Sequence, residues 1–301
     1  MMRKLDIKIG YRCNNFCLHC VQGDKRKKFP KRPIRDVLRE LAIARHECDA
    51  VVFTGGEPTL HPNFLSFVKF AKRLNYAEIQ IQTNGRMFSS VDFTEKCIKA
   101  GANHFAPSLH GHNSDLHDFL THSPGSFAQV CQGIRNIRKY TKNIISNTVI
   151  SRFNYRYLPE IVKLLVGLRV DQIQLAYVHI TGTALKNKDT IPEKKSIIMP
   201  YVKKAIRLGK ASGKRMCTEA IPYCFMAGYE KYIAEAFIPP TKMVEQSFTV
   251  DKYEEFRVTK GKSKGPHCKD CIYFVKCEGP WREYPLIFGW DEFKPVQKKL
   301  K

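Results

Sequence analysis

The sequence lacks long hydrophobic runs. No stretch reaches the roughly 18 uncharged apolar residues that a membrane-spanning helix requires, and the opening MMRKLDIKIGYRCNNFC has no apolar signal-peptide core. We therefore expect a cytoplasmic protein that does not span a membrane. Internal repeats are also lacking, and the modest glycine and proline contents, 18 and 16 of 301 residues, indicate a globular chain rather than a disordered one.

Acidic residues are scarce as well, which leaves a large positive charge. There are 51 Lys and Arg against 28 Asp and Glu, giving +23, with the basic segment KRKKFPKR at residues 25–32. Such a charge is typical of proteins that bind a polyanion, such as RNA, an acidic peptide or a phosphorylated small molecule. A lysine-rich solvated surface is the equally weighted alternative, so charge alone does not identify a partner.

Strand and helix patterns alternate over the first two thirds of the chain. The patterns predict strands at 4–10, 50–56, 77–85, 104–111, 143–151 and 170–178, and helices at 34–46, 64–75, 92–101, 126–141 and 158–169. Six βα units in sequence predict an α/β fold, a parallel sheet closed or nearly closed into a barrel, with ligand sites at the carboxyl ends of its strands. The pattern breaks near residue 190, and we predict a core barrel at 1–210 and a smaller module at 211–301.

The most distinctive motif is CNNFCLHC, directly after the first predicted strand. It places Cys13, Cys17 and Cys20 in a C-x3-C-x2-C arrangement. In a reducing cytosol, eleven cysteines favour metal ligation over disulfides. Three thiolates could hold an iron–sulfur cluster with an open position, or a zinc ion completed by His19 or a distant residue.

Two more segments, TGGEPTLHP after the second strand and IQTNGR after the third, extend this pattern. Together with CNNFCLHC they resemble the radical S-adenosylmethionine (radical SAM) superfamily over roughly residues 4–185. The resemblance implies an enzyme built on a partial (β/α)6 barrel, in which Cys13, Cys17 and Cys20 hold a [4Fe-4S] cluster that binds S-adenosylmethionine. It also implies an electron donor such as ferredoxin or flavodoxin, and a 5'-deoxyadenosyl radical that abstracts hydrogen from a substrate.

The same resemblance implies which residues contact S-adenosylmethionine. They are His19, Gly55, Gly56, Glu57, Pro58, Thr83, Asn84, Ser108, His110 and Asn147. The glycines let the backbone approach a ligand, and Glu57 can accept hydrogen bonds from a cationic amino group. His19 stands where members often carry an aromatic ring, and could instead be a spectator or a proton donor. For the polar residues after strands three to five, ordinary strand-end capping is the alternative.

A second cysteine set lies near the C-terminus. Cys268, Cys271 and Cys277 have the C-x2-C-x5-C spacing of the SPASM and twitch extensions of this superfamily, which bind auxiliary [4Fe-4S] clusters. With Cys217 and Cys224 the chain offers five thiols, enough for one such cluster. The resemblance implies a shortened module whose cluster is held by Cys224, Cys268, Cys271 and Cys277.

Cys217 is then left over. It could be the true fourth ligand, a small buried apolar residue, or a thiol that donates a hydrogen atom to a substrate radical. Tyr177, at the carboxyl end of the sixth predicted strand, is the expected substrate contact in the barrel.

Three functions from different classes follow. The first is a radical SAM enzyme that modifies a peptide or protein by epimerisation, crosslinking or oxidation, although no leader-peptide-binding segment precedes the first strand. The second is a radical SAM enzyme acting on RNA or a nucleotide-like small molecule, favoured by the positive charge. The third is a zinc-binding structural or RNA-binding protein without enzymatic activity.

Overall fold

The computed structural model describes residues 2–297. Its strands are β1 (Lys4–Lys8), β2 (Ala50–Thr54), β3 (Glu78–Thr83), β4 (His104–Pro107), β5 (Ile145–Ile150), β6 (Gln172–Tyr177), β7 (Arg215–Glu219), β8 (Thr241–Val244) and β9 (Thr249–Val250). Each of the six predicted strands is present, somewhat shorter than its sequence pattern.

The strands form one curved, mostly parallel wall. Strands β1 to β4 pair in order, as do β5, β6 and β7, and all these pairs are parallel. Isolated parallel bridges, including Ser108 with Asn147, join β4 to β5. On the other side of β1, β8 pairs in parallel and β9 closes the edge in the antiparallel sense. The predicted α/β fold with a parallel sheet is confirmed.

Helices connect the strands and cover the outside of the sheet. They are α1 (Lys25–Lys28), α2 (Ile34–Ala44), α3 (Phe64–Arg73), α4 (Val91–Ala100), α5 (Ser114–Thr121), α6 (Ser126–Arg138), α7 (Leu158–Gly167), α8 (Thr183–Lys186), α9 (Lys195–Ala211), α10 (Tyr253–Phe256) and α11 (Tyr284–Phe288). The five helices predicted between the strands are all present. Over residues 2–297, no helix is long and apolar enough to cross a membrane.

Three strands of the predicted second module take part in the sheet. β7 continues the wall beyond β6, β8 lies beside β1 with Lys4 opposite Thr241, and β9 pairs with β8. The predicted boundary at residue 210 therefore does not coincide with an edge of the sheet. That residues 211–301 form a separate module stays a proposal.

Alternation along each strand separates an apolar outer face from a polar inner one. In β1, Leu5 and Ile7 are fully buried among the helices, while Lys4, Asp6 and Lys8 line the inside of the wall. Successive strand side chains point to opposite faces, so the polar positions of every strand converge on one interior. That interior is the central cavity of the molecule.

Candidate active site

A cavity of about 600 Å³ fills the inside of the curved sheet, and the N-terminal cysteine loop forms part of its wall. Cys13, Cys17 and Cys20 all line it. Ten further residues that the sequence predicted for a site at the strand ends also line this cavity. They are His19, Gly55, Gly56, Thr83, Asn84, Ser108, His110, Asn147, Tyr177 and Cys217. We call it the barrel cavity.

The cysteine loop is held by close backbone contact with the segment that follows β2. Gly56 donates its N–H to Gly10 at 2.9 Å, and Glu57 donates its N–H to Arg12 at 2.8 Å. A Cβ on Gly55 would lie 2.0 Å from the Gly10 carbonyl oxygen, and one on Gly56 would lie 2.4 Å from that of Tyr11. Both positions therefore require glycine, because any side chain would push the loop away.

Glu57 joins the ends of β2 and β3. Its Oε1 accepts hydrogen bonds from Thr59 and from the Thr83 hydroxyl, at 2.8 Å for the latter, and its Oε2 accepts from the backbone N–H of Asn84 at 2.6 Å. The side chain is 3% exposed, and it and Pro58 do not line the barrel cavity. Both carboxylate oxygens are thus occupied by protein donors, an arrangement that favours a positioning role. Direct contact of Glu57 or Pro58 with a cofactor stays a prediction.

Two of the loop thiols, those of Cys13 and Cys17, are protonated unless a cation holds them. Burial, with the Glu57 charge second, raises the pKa of Cys13 to about 11, and burial also raises the pKa of Cys17, where the charges of Cys13 and Cys20 add to the effect. The Cys13 sulfur accepts a hydrogen bond from the Asn15 N–H at 3.3 Å and lies 3.8 Å from Asn84 Nδ2. Thiolates crowded in this way require a metal centre to become stable, as metal binding is coupled to loss of the thiol protons.

Neutral imidazoles lie beside the loop. His19 and His110 meet edge to face at 4.4 Å between ring centroids, and His110 Nδ1 accepts the Val149 N–H at 3.2 Å. Burial lowers the pKa of His19 and of His117 to about 4 each, and it also lowers the pKa of His110 well below its usual value. These rings are therefore apolar stacking surfaces at neutral pH rather than cations.

Several buried polar atoms in the cavity wall have no hydrogen-bond partner among residues 2–297. They are His19 Nδ1, Gln22 Oε1, Arg26 Nη1 and Asn147 Oδ1. Buried polar groups are almost always hydrogen-bonded, so such a group of unsatisfied atoms around one cavity indicates a polar ligand. The wall fits a molecule with both donors and acceptors, as S-adenosylmethionine is.

Cys217 and Tyr177 stand on neighbouring strands at the cavity. Cys217, on β7, is 2% exposed and its sulfur accepts from Gln172 Nε2 at 3.4 Å. Burial raises the pKa of this thiol to about 12, so it carries its proton at neutral pH. Tyr177 offers the cavity its ring rather than its hydroxyl, because the hydroxyl donates to the Glu193 carbonyl at 2.7 Å.

The other cysteine set meets in a separate small cavity. Cys224, Cys268, Cys271 and Cys277 line it together, among Tyr223, Phe274 and Phe293. Backbone N–H groups point at three of the sulfurs: Gly265 at Cys268, Gly279 at Cys277 and Val296 at Cys271, at 3.3, 3.4 and 3.3 Å. Hydrogen bonds from the backbone to sulfur are a feature of iron–sulfur ligation. Cys217 does not line this cavity and lies at the barrel cavity instead. The choice between Cys217 and Cys224 as the fourth ligand stays a prediction.

A buried lysine lies beside two aromatic rings. Lys195 is fully buried, and its Nζ lies 3.3 Å from the ring centroid of Tyr177 and 3.6 Å from that of Tyr284, with no hydrogen-bond partner among residues 2–297. Burial lowers the pKa of this amine well below its usual value, while the nearby charges of Glu292 and Cys224 act in the opposite direction. An anionic cluster on Cys224 would favour the charged form of the amine.

Other cavity residues were missed by the sequence reasoning. Gln80, Gln82, Gln172 and Gln174 line the barrel cavity, as do Glu219, Arg257, His179 and Trp281. The glutamines follow a period of two in EIQIQT and QIQLAY, a pattern that indicates inward-facing polar side chains on a strand. The parallel stack of His179 on Trp281, at 3.9 Å between centroids, joins residues 102 positions apart and has no local signal.

Comparison with known proteins identifies the family. The family model of the Radical SAM superfamily matches residues 7–165, more than half of the chain. The chain belongs to the radical SAM superfamily. Among curated relatives, a probable GTP 3',8-cyclase of Saccharolobus solfataricus is 29% identical over 213 residues, 68% of each chain. An AdoMet-dependent heme synthase of Oleidesulfovibrio alaskensis is 25% identical over 174 residues, 57% of this chain and 44% of the relative.

Solved radical SAM structures share the fold. Streptococcus suis SuiB bound to S-adenosylmethionine gives a TM-score of 0.70 at 16% identity, covering 94% of this chain and 73% of SuiB. Native anSMEcpe with bound AdoMet and the Cp18Cys peptide gives 0.68 at 14% identity, covering 99% and 93%. At these identities the likeness concerns the fold.

Membership of the radical SAM superfamily makes the protein an enzyme and implies S-adenosylmethionine and a [4Fe-4S] cluster as cofactors. The zinc-binding, non-enzymatic alternative is therefore wrong. Within the part of the chain that the structure describes, no three or more His, Cys, Asp or Glu side chains are arranged to hold a single metal ion.

Proposed function

We propose that this radical SAM enzyme modifies a peptide or protein substrate bound in the barrel cavity, and that a shortened SPASM/twitch-like module at its C-terminus holds one auxiliary [4Fe-4S] cluster. The observation that carries the substrate class is the charge balance of the cavity wall. The wall is polar, yet most of its charged side chains already have partners in the protein.

Three cationic side chains of the wall are paired with acids. Lys4 contacts Glu78 at 2.7 Å, Lys8 contacts Asp6 at 2.7 Å, and Arg257 makes a two-pronged pair with Glu278. A triphosphate needs several free cations, and here each would first have to leave its carboxylate. A neutral polar substrate requires no such exchange.

The remaining wall is rich in primary amides. Gln80 and Gln82 on β3 line the cavity together with Gln172 and Gln174 on β6, and each side chain carries a donor and an acceptor. Peptide backbone offers the same two groups in regular alternation. SuiB and anSMEcpe, whose fold this chain shares, are known in complexes with a precursor peptide and with the Cp18Cys peptide.

For the cofactor, we propose that Cys13, Cys17 and Cys20 hold the radical SAM cluster, and that the backbone at Gly55 and Gly56, with Asn84, Ser108 and Asn147, contacts S-adenosylmethionine. When bound, the two cofactors supply the radical that abstracts a hydrogen atom from the substrate. His19 and His110 pack their neutral rings against the ligand. Thr83 and Glu57 hold the Asn84 backbone in place.

Cys217 is proposed as a hydrogen-atom donor to a substrate radical. Its thiol is protonated, is buried in the wall and is fixed by Gln172. Transfer of the hydrogen atom forms a C–H bond in the substrate and breaks the S–H bond. The resulting cysteinyl radical needs one electron from a reductant and one proton to regain its resting state. Tyr177 contributes the apolar face of its ring to the same wall.

For the auxiliary cluster, we propose Cys224, Cys268, Cys271 and Cys277 as the ligands. The support is the shared cavity and the three backbone N–H groups aimed at sulfur. When bound, the cluster supplies a second one-electron centre. Gly279 is required beside it, because a Cβ there would lie 1.9 Å from the Ser263 carbonyl oxygen and its φ is +82°.

The substrate class is tested with reduced, reconstituted enzyme and S-adenosylmethionine. Peptides encoded by short open reading frames beside the gene are added singly, and 5'-deoxyadenosine and the peptide mass are measured. We expect one peptide to raise 5'-deoxyadenosine formation and to change in mass. A Cys217→Ala variant should still cleave the cofactor.

The sequence relatives favour a second candidate, a guanine nucleotide substrate. A probable GTP 3',8-cyclase matches over 68% of this chain, and the net charge of +23 suits an anion. The same assay with GTP separates the candidates. A new guanosine-derived product with GTP, and no change in any peptide, would replace the peptide proposal. RNA is tested in parallel by binding at two salt concentrations, since phosphate contacts weaken steeply with salt.

A further inference from the structure

A second cavity reaches the N-terminal cysteine loop from outside the barrel. It measures about 410 Å³ and is lined by the loop, by the basic segment after it and by the turn that follows β2. Tyr11, Cys13 and Arg26 border both this outer cavity and the barrel cavity. A molecule in the outer cavity could therefore approach Cys13 without entering the space for cofactor and substrate.

The rim of the outer cavity carries free positive charge. Arg12, Lys27 and Lys31 line it, are exposed, and form no ion pair with any side chain of residues 2–297. The acidic residue in its wall, Glu57, is buried and has both oxygens occupied. Neighbouring Lys25 differs, because it contacts Glu245 at 3.0 Å.

The centre of the outer cavity is apolar. Phe16 is 57% exposed although it is a large apolar ring, and the guanidinium of Arg26 lies over it at 4.7 Å. Phe29, Pro30 and Pro62 complete the apolar floor. An apolar centre with a charged rim is the arrangement of protein–protein interfaces, in which the rim charges steer association.

We propose that the outer cavity is the docking surface of a small acidic one-electron carrier protein, which reduces the cluster held by Cys13. Acidic side chains of the carrier pair with Arg12, Lys27 and Lys31, and its redox centre faces Phe16. The carrier loses one electron and the cluster gains one, and no covalent bond forms or breaks. The proposal rests on the family's cluster site and is independent of the proposed substrate and auxiliary cluster.

The position of the outer cavity favours an electron carrier over other acidic partners. An acidic substrate or a nucleic acid bound on this surface would lie outside the barrel cavity, away from Cys217 and from the glutamine side chains of the cavity wall. An electron carrier gains from this placement, because its redox centre comes next to the loop of Cys13 while the barrel cavity stays free. The surface thus fits a partner that must reach the cluster and not the substrate.

The test compares two reductants on one pair of variants. Lys27→Glu/Lys31→Glu reverses the rim charge, and Lys139→Glu/Lys163→Glu makes the same change at two exposed lysines, one directly after α6 and one on α7. Each holoenzyme is reduced either by reduced flavodoxin, an acidic flavin protein, or by dithionite, and both the reduction of the cluster, seen as loss of its visible absorbance, and 5'-deoxyadenosine formation are followed at low salt. We expect the rim variant to be at least about tenfold slower with flavodoxin and unchanged with dithionite, because charge steering acts only on the protein donor. Added salt should lower the flavodoxin-driven rate of the wild type and leave that of the rim variant unchanged.

Two results would overturn the proposal. One is a flavodoxin-driven rate in the rim variant equal to that of the Lys139/Lys163 control. The other is an equal loss with both reductants at wild-type iron content and thermal stability, which would assign the surface to cofactor binding or to another anionic partner.

Discussion

The two cysteine sets of this chain place the same side chain in opposite surroundings. Cys13, Cys17 and Cys20 lie in a loop between a cavity of about 600 Å³ and the outer cavity. Cys224 and its three partners lie in a small pocket walled by aromatic rings and prolines. Three sulfurs beside a large cavity leave a coordination position for a ligand, whereas four sulfurs in a packed pocket leave none. On this difference we propose that the first set takes part in the chemistry and that the second set serves electron storage or transfer.

The first prediction removes the open site. Cys17→Ala should abolish reductive cleavage of S-adenosylmethionine, since two thiolates cannot hold the cluster. The measurement is 5'-deoxyadenosine formation with dithionite. Cys131→Ala, a change at a buried cysteine of α6, is the matched control and should keep the activity. Retained cleavage in the Cys17 variant would remove this cysteine from the cluster site.

The second prediction removes one sulfur of the closed site. Cys271→Ala should keep cleavage of S-adenosylmethionine and lose product formation, because the two sites bind their clusters separately. Iron should fall from about eight to about four per chain, as each cubane holds four. Full iron content with normal product formation would refute the auxiliary cluster.

The third prediction separates the two cysteines that the sequence left open. Cys224→Ala should lose about four irons per chain, whereas Cys217→Ala should keep the iron content of the wild type. The Cys217 variant should also stop uptake of solvent deuterium into the product when the reaction is run in D₂O. Iron loss in the Cys217 variant instead would reverse the assignment.

The smallest effect concerns how the C-terminal segment is fixed to the barrel. Lys262 is nearly fully buried and contacts Glu235 at 2.5 Å and Glu278, the neighbour of Cys277, at 3.0 Å. Lys262→Met leaves the buried Glu235 carboxylate without its cation, while Glu278 keeps its pair with Arg257, and should lower the free energy of unfolding by about 3–5 kcal/mol. Chemical denaturation measures this. Lys252→Met, at an exposed pair with Glu255, should change nothing measurable.

Much of the fold could be predicted because its signals are local. The periodicities of two and 3.6 gave the six strands and the helices between them, and the motifs placed the cysteine loop at a strand end. The strands β7 and β8 were missed because RMCTE and TKMV are short and mixed in polarity. Their place depends on pairing with β6 and with β1, which lies more than 200 residues away from β8.

Only those site residues that belong to a sequence motif could be predicted. The cysteine spacings indicated both sets, but the choice between Cys217 and Cys224 depends on tertiary packing that spacing does not encode. The buried Lys195 and the occupied carboxylate of Glu57 are likewise products of long-range contacts. The paired glutamines were visible as a strand pattern, and their meaning needed the curvature that brings β3 and β6 to one cavity.

The most direct test of two separate cluster sites is iron and sulfide analysis of a Cys13→Ala/Cys17→Ala/Cys20→Ala variant purified without oxygen, with electron paramagnetic resonance of the reduced protein. The account predicts about four irons and four sulfides per chain, with a spectrum of a reduced [4Fe-4S] cluster that S-adenosylmethionine does not alter. A colourless, folded protein without iron would contradict it.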